Sequence, residues 1–194
     1  MVKLIGPKKI KTAVFISGTG SNLLNLIKFS YTKKSPIKIQ LVISSDKNAK
    51  GINYAKKYRI RNKTFYYGKN INPEKSILKE LILNKIDLIC LAGFMKILSP
   101  NFIKRFKGKI LNIHPSLLPK YKGLNTHDRV IKNKEVYSGC TVHLVNSKLD
   151  SGKIILQKKV KIGKNDNQLT LKARILKLEH SLYPKAIVKL FGNP

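Results

Sequence analysis

Gly108-Lys109-Ile110-Leu111-Asn112-Ile113-His114-Pro115-Ser116-Leu117-Leu118-Pro119-Lys120-Tyr121-Lys122-Gly123 is the stretch on which the reading of this chain turns. Ile110 to Ile113 is an apolar run of the kind that forms a buried strand. Asn112 and His114 interrupt it two residues apart, and strand side chains alternate faces, so both point the same way. Pro115 keeps His114 extended and ends the strand. An amide donor beside a titratable imidazole at a strand end is equipment for stabilising an oxyanion and moving a proton. The alternative is ordinary: a lone His on a strand is commonly a satisfied core or surface residue, and an Asn beside it a turn former.

Working outward, strand and helix patterns alternate. Thr12–Ser17, Ile37–Ser45, Asn62–Tyr67 and Asp87–Ala92 read as strands before the central one. Helices are expected after the Gly18–Asn22 turn, with Leu23, Leu26 and Ile27 on one face, over Asn48–Tyr58, from Asn72-Pro73 to about Asn84, and from Ser99-Pro100, the last two with the polar residue as cap and Pro in the first turn. Apolar strands separated by helices predict a parallel sheet covered on both faces. Beyond a helix near Thr126–Lys132, Ser138–Val145 and Gly152–Ile162 are joined by a short turn segment, which predicts an antiparallel hairpin. A long helix follows from about Gln168, expected to be kinked or divided at Pro184. The fold class is therefore α/β: a doubly wound, mostly parallel sheet flanked by helices, with a late antiparallel hairpin. One domain is expected over 1–194, with residues 1–11 as a basic lead-in.

The net charge is +31, from 40 Lys and Arg against nine Asp and Glu. A polyanion partner is one explanation. However, only Arg59, Arg61, Arg105, Arg129 and Arg174 are Arg, and the lysines are scattered, so a solvated basic surface is the other, and no specific nucleic-acid partner is expected. No apolar run is long enough to span a membrane, and no signal peptide is recognisable, so a cytoplasmic location is expected. Cys90 and Cys140 lie in apolar runs and are expected to be buried free thiols. The four histidines and two cysteines lack metal-ligand spacing, so no metal is expected.

Gly18-Thr19-Gly20-Ser21-Asn22 links the first strand to its helix. Glycines let backbone approach an anion, and a helix N-terminus offers free N–H groups. A phosphate monoester site, a dinucleotide site and a plain tight turn all remain open. Leu23 spoils the dinucleotide fingerprint, although Asp46 stands where a ribose-binding acid would. Asp150 is ordinary for a turn, but it is one of only nine acids, and a carboxylate near His114 would raise the imidazole's pKa. Thr141 and His143 share a face of the sixth strand. His127 and His180 are given surface or hydrogen-bonded core roles.

Taken together, Ile16–Leu23, Leu91–Pro100, Leu111–Tyr121, Cys140-Thr141-Val142-His143 and Leu149-Asp150-Ser151-Gly152 resemble the glycinamide ribonucleotide formyltransferase family, in family order over roughly residues 12–191. The resemblance implies a Rossmann-like formyltransferase fold. It also implies transfer of a formyl group from 10-formyltetrahydrofolate to the amine of 5-phosphoribosylglycinamide in purine biosynthesis. It implies catalytic Asn112, His114 and Asp150; phosphate contacts at Gly20, Ser21 and Asn22; folate contacts at Met95, Lys96, Ile97, Leu98 and Asn112; and supporting roles for Thr141, His143 and Glu179. On this reading His114 acts as an imidazolium held by Asp150, and a Cβ at position 20 would intrude on the phosphate. Thr19 and Leu176 depart from the family pattern. Lys75 and Lys177 are candidates for basic contacts that the pattern leaves unplaced. Of the relatives sharing the fold, a methionyl-tRNA formyltransferase would be expected to carry a further C-terminal domain, and a formyltetrahydrofolate deformylase an N-terminal regulatory one.

Overall fold

The computed structural model describes residues 9–192. The basic lead-in therefore lies outside the described residues as far as residue 8, and its last two residues, Ile10 and Lys11, already belong to a strand. In chain order the elements are β1 (Ile10–Ile16), α1 (Ser21–Ser30), β2 (Ile37–Ser44), α2 (Ile52–Lys57), β3 (Arg61–Thr64), α3 (Glu74–Leu83), β4 (Leu88–Leu91), α4 (Pro100–Arg105) and β5 (Lys109–His114). Then follow α5 (Thr126–Lys132), β6 (Tyr137–Leu144), β7 (Ile154–Lys161) and α6 (Gln168–Phe191). The strands form one sheet in the order β3-β2-β1-β4-β5-β6-β7. All pairs from β3 to β5 are parallel, whereas β5–β6 and β6–β7 are antiparallel.

The apolar strands are buried on both sides. Val14 and Ile16 of β1 pack with α1 and α6 in one core, while Ala13 and Phe15 face α3 and α4 in the other. Phe15 is fully buried and sits edge-on to Phe94 and Phe102, with centroids 5.3 and 6.5 Å away. Truncating it to Ala is expected to cost about 3–5 kcal/mol through the cavity it would leave. From β1 the sheet grows through β2 and β3 to one side and through β4 and β5 to the other. Ligands of such sheets bind where the order reverses, beyond the carboxyl ends of the strands, which here means between β1 and β4.

Several local expectations change. Residues 48–51 are a turn rather than helix, because the Asp46 carboxylate accepts the Asn48 N–H at 2.8 Å and Gly51 donates to the Gly18 carbonyl at 3.0 Å. Asp46 is thereby a turn former. At α3, Asn72 Oδ1 does accept the Glu74 N–H (3.0 Å), but the helix begins only at Glu74, with Pro73 just outside. Ser99 caps α4 as expected, its hydroxyl accepting from the Phe102 N–H. Helix α6 is not divided at Pro184: it runs unbroken from Gln168 to Phe191. Proline removes the donor for the His180 carbonyl four residues back. Asn25 of α1 supplies one instead, its Nδ2 lying 2.6 Å from that oxygen.

Candidate active site

The site is built where parallel and antiparallel halves of the sheet meet. In the β5–β6 register Asn112 stands opposite His143 and His114 opposite Thr141, so all four belong to one face. The connection after β6 then returns Asp150, in a left-handed conformation (φ 45°), to the same place. One Asp150 oxygen, Oδ1, lies 3.4 Å from Asn112 Nδ2 and 3.7 Å from His143 Nε2. The other, Oδ2, accepts the Gly123 N–H at 2.8 Å and lies 3.4 Å from His114 Nδ1. The Asn112, His114 and Asp150 singled out in the sequence are thus brought together, with His143 as a fourth member.

Backbone carbonyls fix the ring protons. A carbonyl only accepts. His114 Nε2 therefore donates to Tyr121 O (2.8 Å), and His143 Nδ1 donates to Leu144 O (2.8 Å). The other ring nitrogen of His143, Nε2, lies 3.2 Å from Asn112 Nδ2. In His114 the nitrogen left to titrate is Nδ1, the one facing Asp150.

Charge at the cluster differs from the expectation of a raised histidine. Burial is the strongest influence on His114 and pushes it below the ordinary imidazole value. The Tyr121 carbonyl and the Asp150 carboxylate pull upward, but they do not overcome burial assisted by His143 and Arg129. Resting His114 is therefore neutral near pH 7, not an imidazolium. Burial also acts to raise Asp150, yet the adjoining His143 side chain, the hydrogen bond from the Gly123 N–H and the nearby His114 imidazole hold it below the usual carboxylate range.

Thr141 supports rather than joins this group. Its hydroxyl donates to Ser116 O (2.6 Å) and accepts from Leu118 N–H and Gln157 Nε2, tying the loop after His114 to β6 and β7.

The turn after β1 has a left-handed Gly20 (φ 76°), and the first intrahelical bond, Leu24 N–H to Gly20 O, leaves the Ser21 to Leu23 N–H groups without helical partners. Asn22 is not free to reach outward: it is buried and donates through Nδ2 to Glu179 Oε2 at 2.7 Å. Its Oδ1 is buried without a partner among the described residues. Glu179, buried on α6 and hydrogen-bonded to Asn22, is pushed up to about 7 by desolvation. A Cβ on Gly20 would first meet Gly51 Cα, at 2.5 Å. The glycine is thus required by packing of one backbone on another, which corrects the idea that it chiefly clears space for a ligand.

Next to this turn lies the loop after β4. Ser17 Oγ accepts the Met95 N–H (2.8 Å) and pairs with Ser45 Oγ (2.6 Å), so the two loops are stitched together at the switch point. Met95 and Ile97 are exposed apolar side chains, and Lys96 reaches over the Tyr67 ring. Leu98 points into the core and offers a ligand only backbone. Glu74, buried, takes Ser99 through both its N–H (2.7 Å) and its hydroxyl, fixing the far end of the loop. Lys75 and Lys177 are exposed.

A family model described as "Formyl transferase" matches residues 10–187. The chain belongs to the formyl transferase family. It is 44% identical over 180 residues to a phosphoribosylglycinamide formyltransferase of Haemophilus influenzae, covering 91% of this chain and 85% of that one. It is 40% identical over 185 residues to the human trifunctional purine biosynthetic protein adenosine-3, covering 93% of this chain but 18% of that longer protein. Among solved structures, a phosphoribosylglycinamide formyltransferase from Brucella melitensis superposes with a TM-score of 0.88 at 40% identity, covering 96% and 97% of the two chains.

Sequence reasoning missed several partners of this formyl transferase cluster. Ser17, Gln157, Tyr121 and Gly123 act through hydroxyl, amide or backbone groups that carry no sequence signature. Glu74 alone was findable, as one of the nine acids standing at a helix start.

Proposed function

We propose that this chain, as one formyltransferase domain acting in the cytoplasm, transfers a formyl group from 10-formyltetrahydrofolate to the amine of 5-phosphoribosylglycinamide in purine biosynthesis. The observation that carries the reading is the convergence of Asn112, His114, His143 and Asp150 at the end of β5 in a chain of this family. The folate is a substrate here, and Met95, Lys96, Ile97 and Asn112, with the Leu98 backbone, are the residues proposed to meet it. Its aminobenzoyl ring suits the exposed Met95 and Ile97, and its carboxylates suit Lys96. The acceptor's phosphate is proposed to sit on the Gly20, Ser21 and Asn22 backbone, at a helix N-terminus whose first N–H groups have no helical partner. The Asn22 side chain is committed to Glu179 and serves that turn from behind.

The amine attacks the formyl carbon, and charge develops on the formyl oxygen. Asn112 is the donor for it: its 3.4 Å bond to Asp150 is long enough to be exchanged for a stronger one, while His143 keeps the amide oriented. Neutral His114 takes the proton that the amine nitrogen must lose, on Nδ1. The imidazolium so formed is held by Asp150 and returns that proton to the folate nitrogen as the carbon–nitrogen bond breaks. The proton count closes without a covalent enzyme intermediate.

The test is an assay of the purified chain with both substrates, following formyl loss from the folate and formation of formylated phosphoribosylglycinamide. Release of free formate, or formylation of an aminoacylated tRNA instead, would overturn the reading. Association with RNA is expected to be non-specific and to vanish with added salt, as for scattered lysines.

A further inference from the structure

We infer that Tyr121 is a positioning residue, acting through its backbone on His114 and Asp150 while its side chain holds that backbone in place. The inference deepens the formyl-transfer reading and rests on it for the chemistry.

Tyr121 has φ 56°, the left-handed region that a bulky residue avoids unless its surroundings dictate it. Its surroundings do. The hydroxyl donates to Glu135 Oε1 at 2.9 Å and accepts from Asn133 Nδ2 at 2.9 Å. The Arg129 guanidinium lies 5.3 Å from the ring centroid, and its Nη1 donates to the Lys122 carbonyl at 2.7 Å. Lys120 closes on the same Glu135 oxygen at 3.0 Å. These polar contacts all come from α5, the turn after it, or the loop itself. What the clamped segment delivers is backbone. Tyr121 O is the 2.8 Å acceptor for His114 Nε2, and two residues on, Gly123 N–H is the 2.8 Å donor to Asp150 Oδ2.

Because a carbonyl cannot donate, Tyr121 O keeps the ring proton on Nε2 and leaves Nδ1 basic and aimed at Asp150. The clamp therefore selects the His114 tautomer that the proposed proton transfer needs. If residues 121–123 relax, both the tautomer and the Asp150 carboxylate lose their fixed partners, although no substrate contact need be lost.

The test uses three variants of the full chain: Tyr121→Phe, Glu135→Ala and Glu135→Gln. Tyr121→Phe and Glu135→Ala are expected to lower kcat roughly tenfold while changing KM for either substrate by less than about twofold. Glu135→Gln, which keeps an acceptor for the hydroxyl, should recover most of that loss. With ¹⁵N-labelled histidine, the His114 Nε2–H signal should be protected from solvent exchange in the wild type and lose protection in Tyr121→Phe. A fall in thermal midpoint with kcat and the Nε2–H signal unchanged would overturn the inference, as would a loss carried mainly by KM. The NMR arm needs no turnover. Were the wild type to formylate nothing, the formyl-transfer reading would fall, and the Nε2–H signal would still decide the clamp.

Discussion

Asp150 and Glu179 are two buried carboxylates, 9% and 7% exposed, whose pKa values are pushed in opposite directions. Asp150 lies in the connection between β6 and β7, where loop backbone and two imidazoles are within reach. With a Gly123 N–H and the side chains of Asn112, His114 and His143 around it, it is held below the usual carboxylate range. Glu179 lies inside α6, whose own backbone N–H groups are taken up in the helix ladder. Asn22 is its one hydrogen-bond partner among the described residues, and it is pushed up to about 7. Desolvation pushes both carboxyls upward, most strongly at Glu179; around Asp150 the Gly123 N–H and the imidazoles more than offset it, whereas the Asn22 bond does not do so for Glu179. The difference suits the two neighbourhoods. An anion beside His114 stabilises a transient imidazolium, whereas a proton on Glu179 removes negative charge from beside the turn proposed to receive a phosphate.

The sharpest way to break this contrast is to remove the chemistry from the Asp150 side. His114→Ala is expected to lower kcat by roughly 10²–10⁴, the range for a lost acid/base group. Steady-state rates on the folded variant check this, and near-normal turnover would show that the cluster is structural. Asn112→Ala should lower kcat by about 10²–10³ through loss of an oxyanion donor. An effect confined to KM would reassign Asn112 to ground-state binding of the folate.

Much of the Asp150 side was legible in the sequence, because it depends on period two. Asn112 and His114 share a face in any strand, and β6 pairing antiparallel with β5 brings His143 opposite Asn112. What was not legible is burial around the ring. The pull of Asp150 on His114 was read correctly in direction, yet desolvation outweighs it, and desolvation depends on tertiary packing. The Glu179 side was harder still. Glu179 and Asn22 are 157 residues apart, and nothing local marks their hydrogen bond. The same holds for Asn25 and the His180 carbonyl, which let α6 pass Pro184 unbroken. Gly20 was singled out for the right property, its missing side chain, but the neighbour that needs the space is Gly51.

Glu179→Gln probes the other side of the contrast. Below pH 4.5 the carboxyl is protonated both folded and unfolded. As pH rises, the unfolded chain ionises near 4.5 while the folded one keeps its proton to about 7, so stability is lost across that window. The shift corresponds to about 3 kcal/mol at the upper end. Gln keeps an oxygen for Asn22 Nδ2 and cannot ionise. The variant should therefore match the wild type near pH 4 and exceed it in urea unfolding above pH 7. A stability difference that does not change with pH would mean that Glu179 is solvated well enough to ionise normally.

Asp150→Asn gives the smallest but most discriminating effect. Asn keeps an oxygen for the Gly123 N–H, so the loop retains an anchor, and only the charge beside His114 Nδ1 is removed. That charge is one of two influences opposing burial. Without it the titration midpoint of His114, already below the ordinary imidazole value, should fall further. The acid limb of the kcat profile should move to lower pH with it, since neutral His114 is the form that accepts the proton. The plateau should drop at the same time, because the imidazolium formed during the reaction has lost its counter-charge. Ring signals of His114 followed against pH in both proteins supply the measurement. Glu179→Gln is the matching control: its carboxyl belongs to the other neighbourhood and should leave that midpoint where it was. If Asp150→Asn also left it unmoved, Asp150 would be a turn residue like Asp46, and the distinction between the two buried carboxylates would rest on packing alone.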